Sequence, residues 1–363
     1  MGMNTNDPHL VPSPTAARAA GLRYVRGTPQ GIARAGTPKR FAYLMDGKAV
    51  RDKETEERIK RLAIPPAWER VWICADPNGH LQATGYDVKG RKQYRYHPDW
   101  NTQRNHTKYA HALAFGAQLP AMRKRIESDL RLPGLPLNKV LAIVVSVMDE
   151  TQIRVGQDAY AKENGTFGLS TLRDRHVKGS GSAVRFVFRG KKGIDHDIRL
   201  GSARLSRLVM RCKELPGQDL FQYVDEDGKP RPIDSGMVND YIRSISGGAY
   251  TSKDIRTWKG TVHATRALLQ QGAADTEAQR REKINAALDE VAAQLGNTRA
   301  VCRKYYVHPR IVVAYETSVL PTVAALVKAT RGMAHEERVV IKLLGSRIVV
   351  KATDLQRKLP KAA

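Results

Sequence analysis

The chain has 363 residues, an ordinary hydrophobic content of 41% and a formal net charge of +25. Two domains with real cores and a polyanionic partner are therefore expected. No apolar run reaches the roughly 20 residues of a membrane-spanning helix, and the N-terminus lacks the apolar segment of a secretory signal. Residues 1–20, interrupted by Asp7 and three prolines, are expected to form a disordered leader. Residues 21–103 are short-stranded and turn-rich. FAYLMDGKAV carries a D-G turn between apolar runs, and VWICA and LQATGY flank Pro77-Asn78-Gly79, so both segments predict hairpins. One helix is expected over Glu54–Leu62, ahead of Pro65-Pro66.

From residue 104 the apolar spacing becomes helical, over 104–127 and 137–149, then 202–214, 235–246, 260–272 and 278–295. The last helix places Ile284, Leu288, Val291 and Leu295 on one face, with Gly296 as its C-terminal stop. Between these helices VRFVFRGKKGIDHDIRL alternates on either side of a turn at Gly190–Gly193. From Arg338 no helical period is evident, and residues 331–363 are expected to be a basic tail. The expected fold class is α+β: a small β-rich N-terminal domain (21–103) and a larger, mainly helical domain (104–330) carrying a β-hairpin. Trp258 and the other tryptophans are expected in cores.

Cys74, Cys212 and Cys302 lack C-x-x-C spacing, which points to a reducing compartment without a disulfide framework. The ten histidines show no metal-ligand spacing, so no metal and no cofactor is expected. The basic residues run through periodic segments instead of one tail, favouring a broad nucleic-acid surface over a ribosome-associated tail or an anionic-membrane patch.

Cutting a phosphodiester with a tyrosine oxygen makes two demands. Positive donors must surround the phosphorus as charge builds on its non-bridging oxygens, and the leaving 5′ oxygen must receive a proton. Without a metal, at least two arginines and a lysine must converge on one tyrosine. Such residues occur in order: Arg154 in ETQIRVGQDAYAKENGTFGLSTL, Lys191 in FRGKKG, Lys253 and Arg256 in SKDIRTW, then Asn297 and Tyr306 in GNTRAVCRKYYVHP. Taken alone, Arg154 could pair with Asp149 or Glu150. Lys192 rivals Lys191, and Tyr305 adjoins Tyr306.

Together these strings resemble the catalytic domain of the poxvirus-like bacterial type IB DNA topoisomerases, the eukaryotic-type topoisomerase I core. IPPAW (Ile64–Trp68) and GRKQYRYH (Gly90–His97) resemble that family's small N-terminal domain. The resemblance spans roughly Arg23 to Ala325. It implies Tyr306 as nucleophile, Arg154 and Arg256 as phosphate clamps, and Lys191 as the acid that protonates the 5′ oxygen. Asn297 stands where many relatives carry a histidine donor, and its nine-residue spacing favours Tyr306 over Tyr305. Contacts to DNA are implied for Gln93, Tyr94 and Tyr96, with Lys253 beside the site; ordinary β packing would explain the strand residues equally. The resemblance further implies an ATP-independent monomer around double-stranded DNA, cytoplasmic and nucleoid-associated, with Mg2+ not required.

Two other readings share the chemistry or the fold. A tyrosine site-specific recombinase normally has H-x-x-R where this chain has Lys253-x-x-Arg256, and its N-terminal module is helical. A non-catalytic DNA-binding protein of the same fold would not need all five residues. A metal-dependent nuclease would need a carboxylate cluster.

Overall fold

A computed structural model describes residues 14–26, 30–37, 40–88, 90–328, 330 and 332–346. Its packing divides between Ala110 and His111 into two units, and the fold is α+β. The division falls inside one continuous helix, Pro98–Asp129, which offers no break for the sequence to signal.

The first unit begins with α1 (Pro14–Ala19), a correction to the expected leader. Pro14 opens this helix, where a missing N–H costs nothing. Ala17 is fully buried and packs with Leu22 on Trp100. Residues 1–13 of that leader lie outside the described residues. An antiparallel sheet follows, built from β1 (Ile32–Thr37), β2 (Arg40–Met45), β3 (Lys48–Ala49), β4 (Glu69–Ile73), β5 (Leu81–Tyr86) and β6 (Lys92–Tyr96). Their order is β3-β2-β1-β4-β5-β6. The D-G hairpin is present as Asp46-Gly47, both at positive φ, joining β2 to β3 with Met45 opposite Lys48. Pro77-Asn78-Gly79 lies between β4 and β5, which pair. The predicted helix is α2 (Lys53–Arg61), capped by the Asp52 carboxylate on Thr55 N. Its Ile59 joins Ile32, Val71, Ile73 and Ala83 in a small core.

α3 (Pro98–Asp129) carries the chain onward. α4 (Leu137–Thr151) buries most of its length, including Val140–Val145, because a helix apolar on all sides belongs in an interior. After α5 (Asp158–Asn164) come β7 (Val177–Ser180), β8 (Ala183–Arg189) and β9 (Asp195–Arg199), a three-stranded antiparallel sheet. The expected hairpin is β8–β9; along β8, Val184, Phe186 and Phe188 turn inward and alternate with outward residues. α6 (Ala203–Lys213) precedes a two-stranded ribbon, β10 (Gln222–Val224) and β11 (Pro230–Pro232), and then α7 (Ser235–Ser246).

α8 (Ser252–Gln271) starts eight residues before the expected 260. The signal was a capping box: Asp254 accepts hydrogen bonds from both the backbone N–H and the hydroxyl of Thr251, at 2.9 Å each. The SKDIRTW string therefore opens a helix. α9 (Glu277–Leu295) ends at Gly296 in the left-handed conformation, as its sequence predicts. α10 (Arg299–Tyr305), α11 (Pro309–Glu316), α12 (Val319–Leu326) and α13 (His335–Gly345) complete the unit.

α13 corrects the expected tail. Its paired apolar residues, Val339–Val340 and Leu343–Leu344, recur one turn apart and are buried in the main core. The reading missed them because the helix begins before Arg338. Residues 347–363 lie outside the described residues. Glu337 on α13 is 2% exposed; it accepts Arg123 through both oxygens (2.6 and 2.8 Å) and Trp258 Nε1 at 3.3 Å. Trp258 and Trp100 are buried, as expected; Trp68 and Trp72 are half-buried.

Glu337→Ala should cost about 3 kcal/mol, since it strands a guanidinium and an indole N–H. Urea unfolding checks the loss. Burial, the largest single effect on this carboxyl, raises its pKa; the hydrogen bond and charge of Arg123, with the Ala334 N–H and Lys259, together outweigh it and leave it below the ordinary 4.5. The wild-type contribution is then complete above pH 4.5 and disappears as pH falls through the lower folded value; Glu337→Gln should flatten that dependence.

Candidate active site

Arg154 follows α4 in an extended stretch that the GTFGLST loop pins: Leu169 N–H donates to the Arg154 carbonyl (2.8 Å) and Ser170 N–H to the Val155 carbonyl (2.6 Å). Neither acidic neighbour takes the guanidinium. Asp149 pairs with Lys259 at 2.8 Å, and Glu150 accepts the N–H groups of Gly201 and Ser202. Arg154 Nη2 instead donates to Asn297 Oδ1 at 2.9 Å. Asn297 stands just beyond α9, with its Nδ2 3.2 Å from the Leu295 carbonyl. That carbonyl also accepts Arg256 Nη2 at 2.9 Å.

Arg256 lies in the first turns of α8 and is 4% exposed. Burial is the main reason its pKa is pushed down to about 10; Arg154 adds to the fall, while Tyr306 opposes it. Its Nε is buried without a partner among the described residues. Such an orphaned donor in a cationic pocket is suited to an incoming anion.

Tyr306 is the residue immediately after α10. Its ring centroid lies 5.4 Å from the Arg256 guanidinium carbon. Its carbonyl lies 3.2 Å from the Thr261 hydroxyl, whose single proton it shares with the Thr257 carbonyl at 2.9 Å, and that hydroxyl in turn accepts His308 N–H at 3.1 Å. Gly260 permits this approach, since a Cβ there would stand 2.8 Å from the Tyr306 carbonyl oxygen. Burial would raise the phenol pKa. Arg256 and Arg154, with a hydrogen bond from Arg256 and the field of Lys253, overcome burial and leave it below the ordinary 10. Tyr305, by contrast, has the Lys304 ammonium 5.4 Å from its ring centroid.

Lys191 sits in the β8–β9 turn, closed by Gly190 N–H to the Ile194 carbonyl (2.7 Å) and Gly193 N–H to the Gly190 carbonyl (3.0 Å). Lys192 takes the left-handed φ of 66° that this turn requires. Although the Lys191 residue is exposed overall, the protein crowds its ammonium. Desolvation first, then Arg154 and Lys192, lower its pKa, with Tyr306 opposing. The structure thus gathers Arg154, Lys191, Arg256, Asn297 and Tyr306, with Lys253 close enough to act on Tyr306.

Gln93, Tyr94 and Tyr96 belong to β6 in the first unit. The rings of Tyr94 and Tyr96 share a face and stack at 6.1 Å and 14°. Gln93 points the other way, is 4% exposed, and donates to Asp87 at 2.9 Å. Among the described residues no group of three His, Cys, Asp or Glu side chains could hold a metal ion, and no helix is long and apolar enough to cross a membrane.

His196 on β9 escaped the sequence reading, because one histidine in DHDIR has no motif to announce it. Its ring stacks on Phe188 at 4.9 Å and lies beside Gly190 and Gly296.

The family model of the eukaryotic DNA topoisomerase I catalytic core matches residues 92–331, and that of the bacterial DNA topoisomerase IB N-terminal domain matches residues 40–87. DNA topoisomerase 1B of Acanthamoeba polyphaga mimivirus is 33% identical over 300 residues, covering 80% of this chain and 88% of that protein. DNA topoisomerase 1 of Rabbit fibroma virus is 28% identical over 206 residues, covering 51% and 64%. DNA topoisomerase 1B of Vaccinia virus (strain Copenhagen) is 26% identical over 184 residues, covering 48% and 58%. With these matches and the residues gathered around Tyr306, the chain belongs to the type IB DNA topoisomerases, isomerases that bind and act on DNA.

Proposed function

We propose that the enzyme relaxes supercoiled DNA by cutting one strand with Tyr306, keeping the cut end as a 3′-phosphotyrosyl linkage, and then rejoining it. The observation that carries this reading is geometric: the buried Arg256, its Nε without a partner among the described residues, stands with its guanidinium carbon 5.4 Å from the Tyr306 ring, and Arg154 is held by Asn297 in the same cluster; the lowered phenol pKa agrees with it. In the forward step the phenolic oxygen gives up its proton to solvent and bonds to phosphorus. The bond to the 5′ oxygen breaks, and that oxygen takes a proton from Lys191. Rejoining runs the same steps backwards. One phosphoester replaces another of similar energy, so no ATP is consumed.

Each neighbour has a task its geometry supports. Arg256 offers its unpartnered Nε and Arg154 its remaining N–H groups to the non-bridging oxygens. Asn297 spends its Oδ1 on Arg154, so its Nδ2 is the end turned to donate. Lys191 holds its proton less tightly than an ordinary lysine, which suits a general acid. The positive charge comes from side chains, so Mg2+ is not required. Tyr94 and Tyr96 are proposed DNA contacts, with Gln93 supporting their strand from its buried side and Lys253 adding to the field at the phosphate. A site complete within one chain needs no second copy, so the enzyme is read as a monomer, and its DNA substrate is the reason to propose the cytoplasmic nucleoid as its place of work.

Denaturant trapping on labelled DNA, followed by peptide mapping, tests the nucleophile. Tyr306→Phe should abolish the covalent adduct and leave DNA affinity nearly unchanged, whereas Tyr305→Phe should still form it. Loss of the adduct in Tyr305→Phe alone would move the nucleophile by one residue. Relaxation of plasmid without a specific site, in chelator and without ATP, should persist; site-dependent recombination in its place would favour a recombinase.

Lys191→Ala should slow single-turnover cleavage by about 10²–10⁴-fold. A substrate with sulfur at the bridging 5′ position should recover most of that loss, because a thiolate leaves without a proton. Arg154→Ala and Arg256→Ala should not recover comparably. If Lys192→Ala were rescued in place of Lys191→Ala, the acid would be the neighbouring lysine. In the wild type the acid form is lost as pH rises through the Lys191 value, which burial sets below the ordinary 10.5. Cleavage of the oxygen substrate should therefore decline on that alkaline side, and cleavage of the sulfur substrate should not.

A further inference from the structure

Two glycines immediately precede two of the site residues: Gly190 precedes Lys191, and Gly296 precedes Asn297. One side chain fills the space between them. A Cβ on Gly190 would stand 2.5 Å from both Cδ2 and Nε2 of His196, and a Cβ on Gly296 would stand 2.8 Å from its Cε1. The imidazole is held from the other side by Phe188, its cross-strand partner, stacked at 4.9 Å and 21°. Phe188 itself is 6% exposed and part of the main core. His196 is therefore a wedge with a fixed back and two backbones against its front edge.

We propose that His196 is a positioning residue for cleavage, setting the distance between the turn that carries the Lys191 ammonium and the helix end that carries Asn297. The inference rests on the reading of Lys191 as the acid. Electrostatics agree with this use of the ring. Burial, then Arg154 and Arg256, lower the imidazole pKa against the opposing pull of Asp195. A neutral ring fills the gap without adding another positive charge beside the two guanidiniums. Deleting it leaves the β8–β9 turn free to sink toward Gly296, taking the ammonium out of line with the 5′ oxygen. Misplacement on the order of 1 Å costs up to about a hundredfold in such a transfer.

Gly190 makes the contact testable. Its backbone is ordinary extended chain (φ −96°, ψ −169°), and the other atom near an added Cβ, the Ile194 carbonyl oxygen, would lie at a comfortable 3.5 Å. A methyl there collides with the imidazole alone.

His196→Ala should slow single-turnover cleavage of the oxygen substrate by about tenfold to a hundredfold, with DNA affinity unchanged, and the 5′-bridging sulfur substrate should restore most of the rate. Gly190→Ala should show the same selective loss. The double variant should cut no more slowly than His196→Ala alone, because removing the ring removes the collision. The proposal is overturned by an unaffected His196→Ala, by equal slowing on both substrates, or by losses that multiply in the double variant. If His196→Ala lowers the unfolding midpoint, Gly190→Ala supplies the same readout with the ring in place. Lys191→Ala is the control. Its failure to recover on sulfur sinks the acid assignment itself, whereas its recovery without that of His196→Ala sinks only the wedge.

Discussion

Two guanidiniums and an ammonium held around one phenol repel one another, and the second unit is built to keep them there. The groups that restrain them are neutral: the Leu295 carbonyl for Arg256 and the Asn297 amide oxygen for Arg154. A carboxylate would bind the same cations more strongly, yet it would also cancel the field that an incoming phosphate must feel. Neutral acceptors fix direction and leave the charge unspent. The cost shows in the depressed pKa values of Arg256 and Lys191, in both of which burial is the largest cause.

α8 bears most of that burden. Its capped first turn presents Lys253 and Arg256, and Gly260 and Thr261 receive Tyr306 one turn later. Trp258 ties the opposite side to Glu337 of α13. α13, the last helix among the described residues, thus braces the helix that carries Lys253 and Arg256. Glu150 and Asp149, the acidic pair that precedes Arg154, are likewise committed elsewhere, to the α6 entry and to Lys259.

Much of this was legible in the sequence because the chemistry dictates residue types. Tyr306, Arg154, Arg256 and Lys191 stood out through the motifs that carry the family resemblance, from which their proposed roles come, and the α9 stop at Gly296 followed from local preference alone. The hairpin around Lys191 was visible in the alternation of β8 and β9. What escaped depended on distant packing. His196 gains its meaning from Gly296, a hundred residues away, and no periodicity links them. Val339–Val340 and Leu343–Leu344 do recur one turn apart, but from Arg338 onward they form too short a stretch to mark a helix whose start lies earlier, at His335. The alternation along β6 put Tyr94 and Tyr96 on one face correctly, but could not tell that Gln93 would turn inward to Asp87. At the start of α8 the T-x-x-D cap precedes the apolar repeat, so apolar spacing alone sets the helix start too late.

The link from Thr261 to the Tyr306 carbonyl has a consequence for heat and wear. Arg256 and Thr261 stand five residues apart on one helix; the first touches the phenol ring and the second the backbone of the same tyrosine. Both ends of Tyr306 are thus gauged from a single rod. When α10 shifts as temperature rises, the tyrosine and its guanidinium are carried by the same reference, so their separation drifts as little as two points on a helix drift. A tyrosine hung from a free loop would lose its aim long before the protein melted. Here, its aim depends on α8 staying folded.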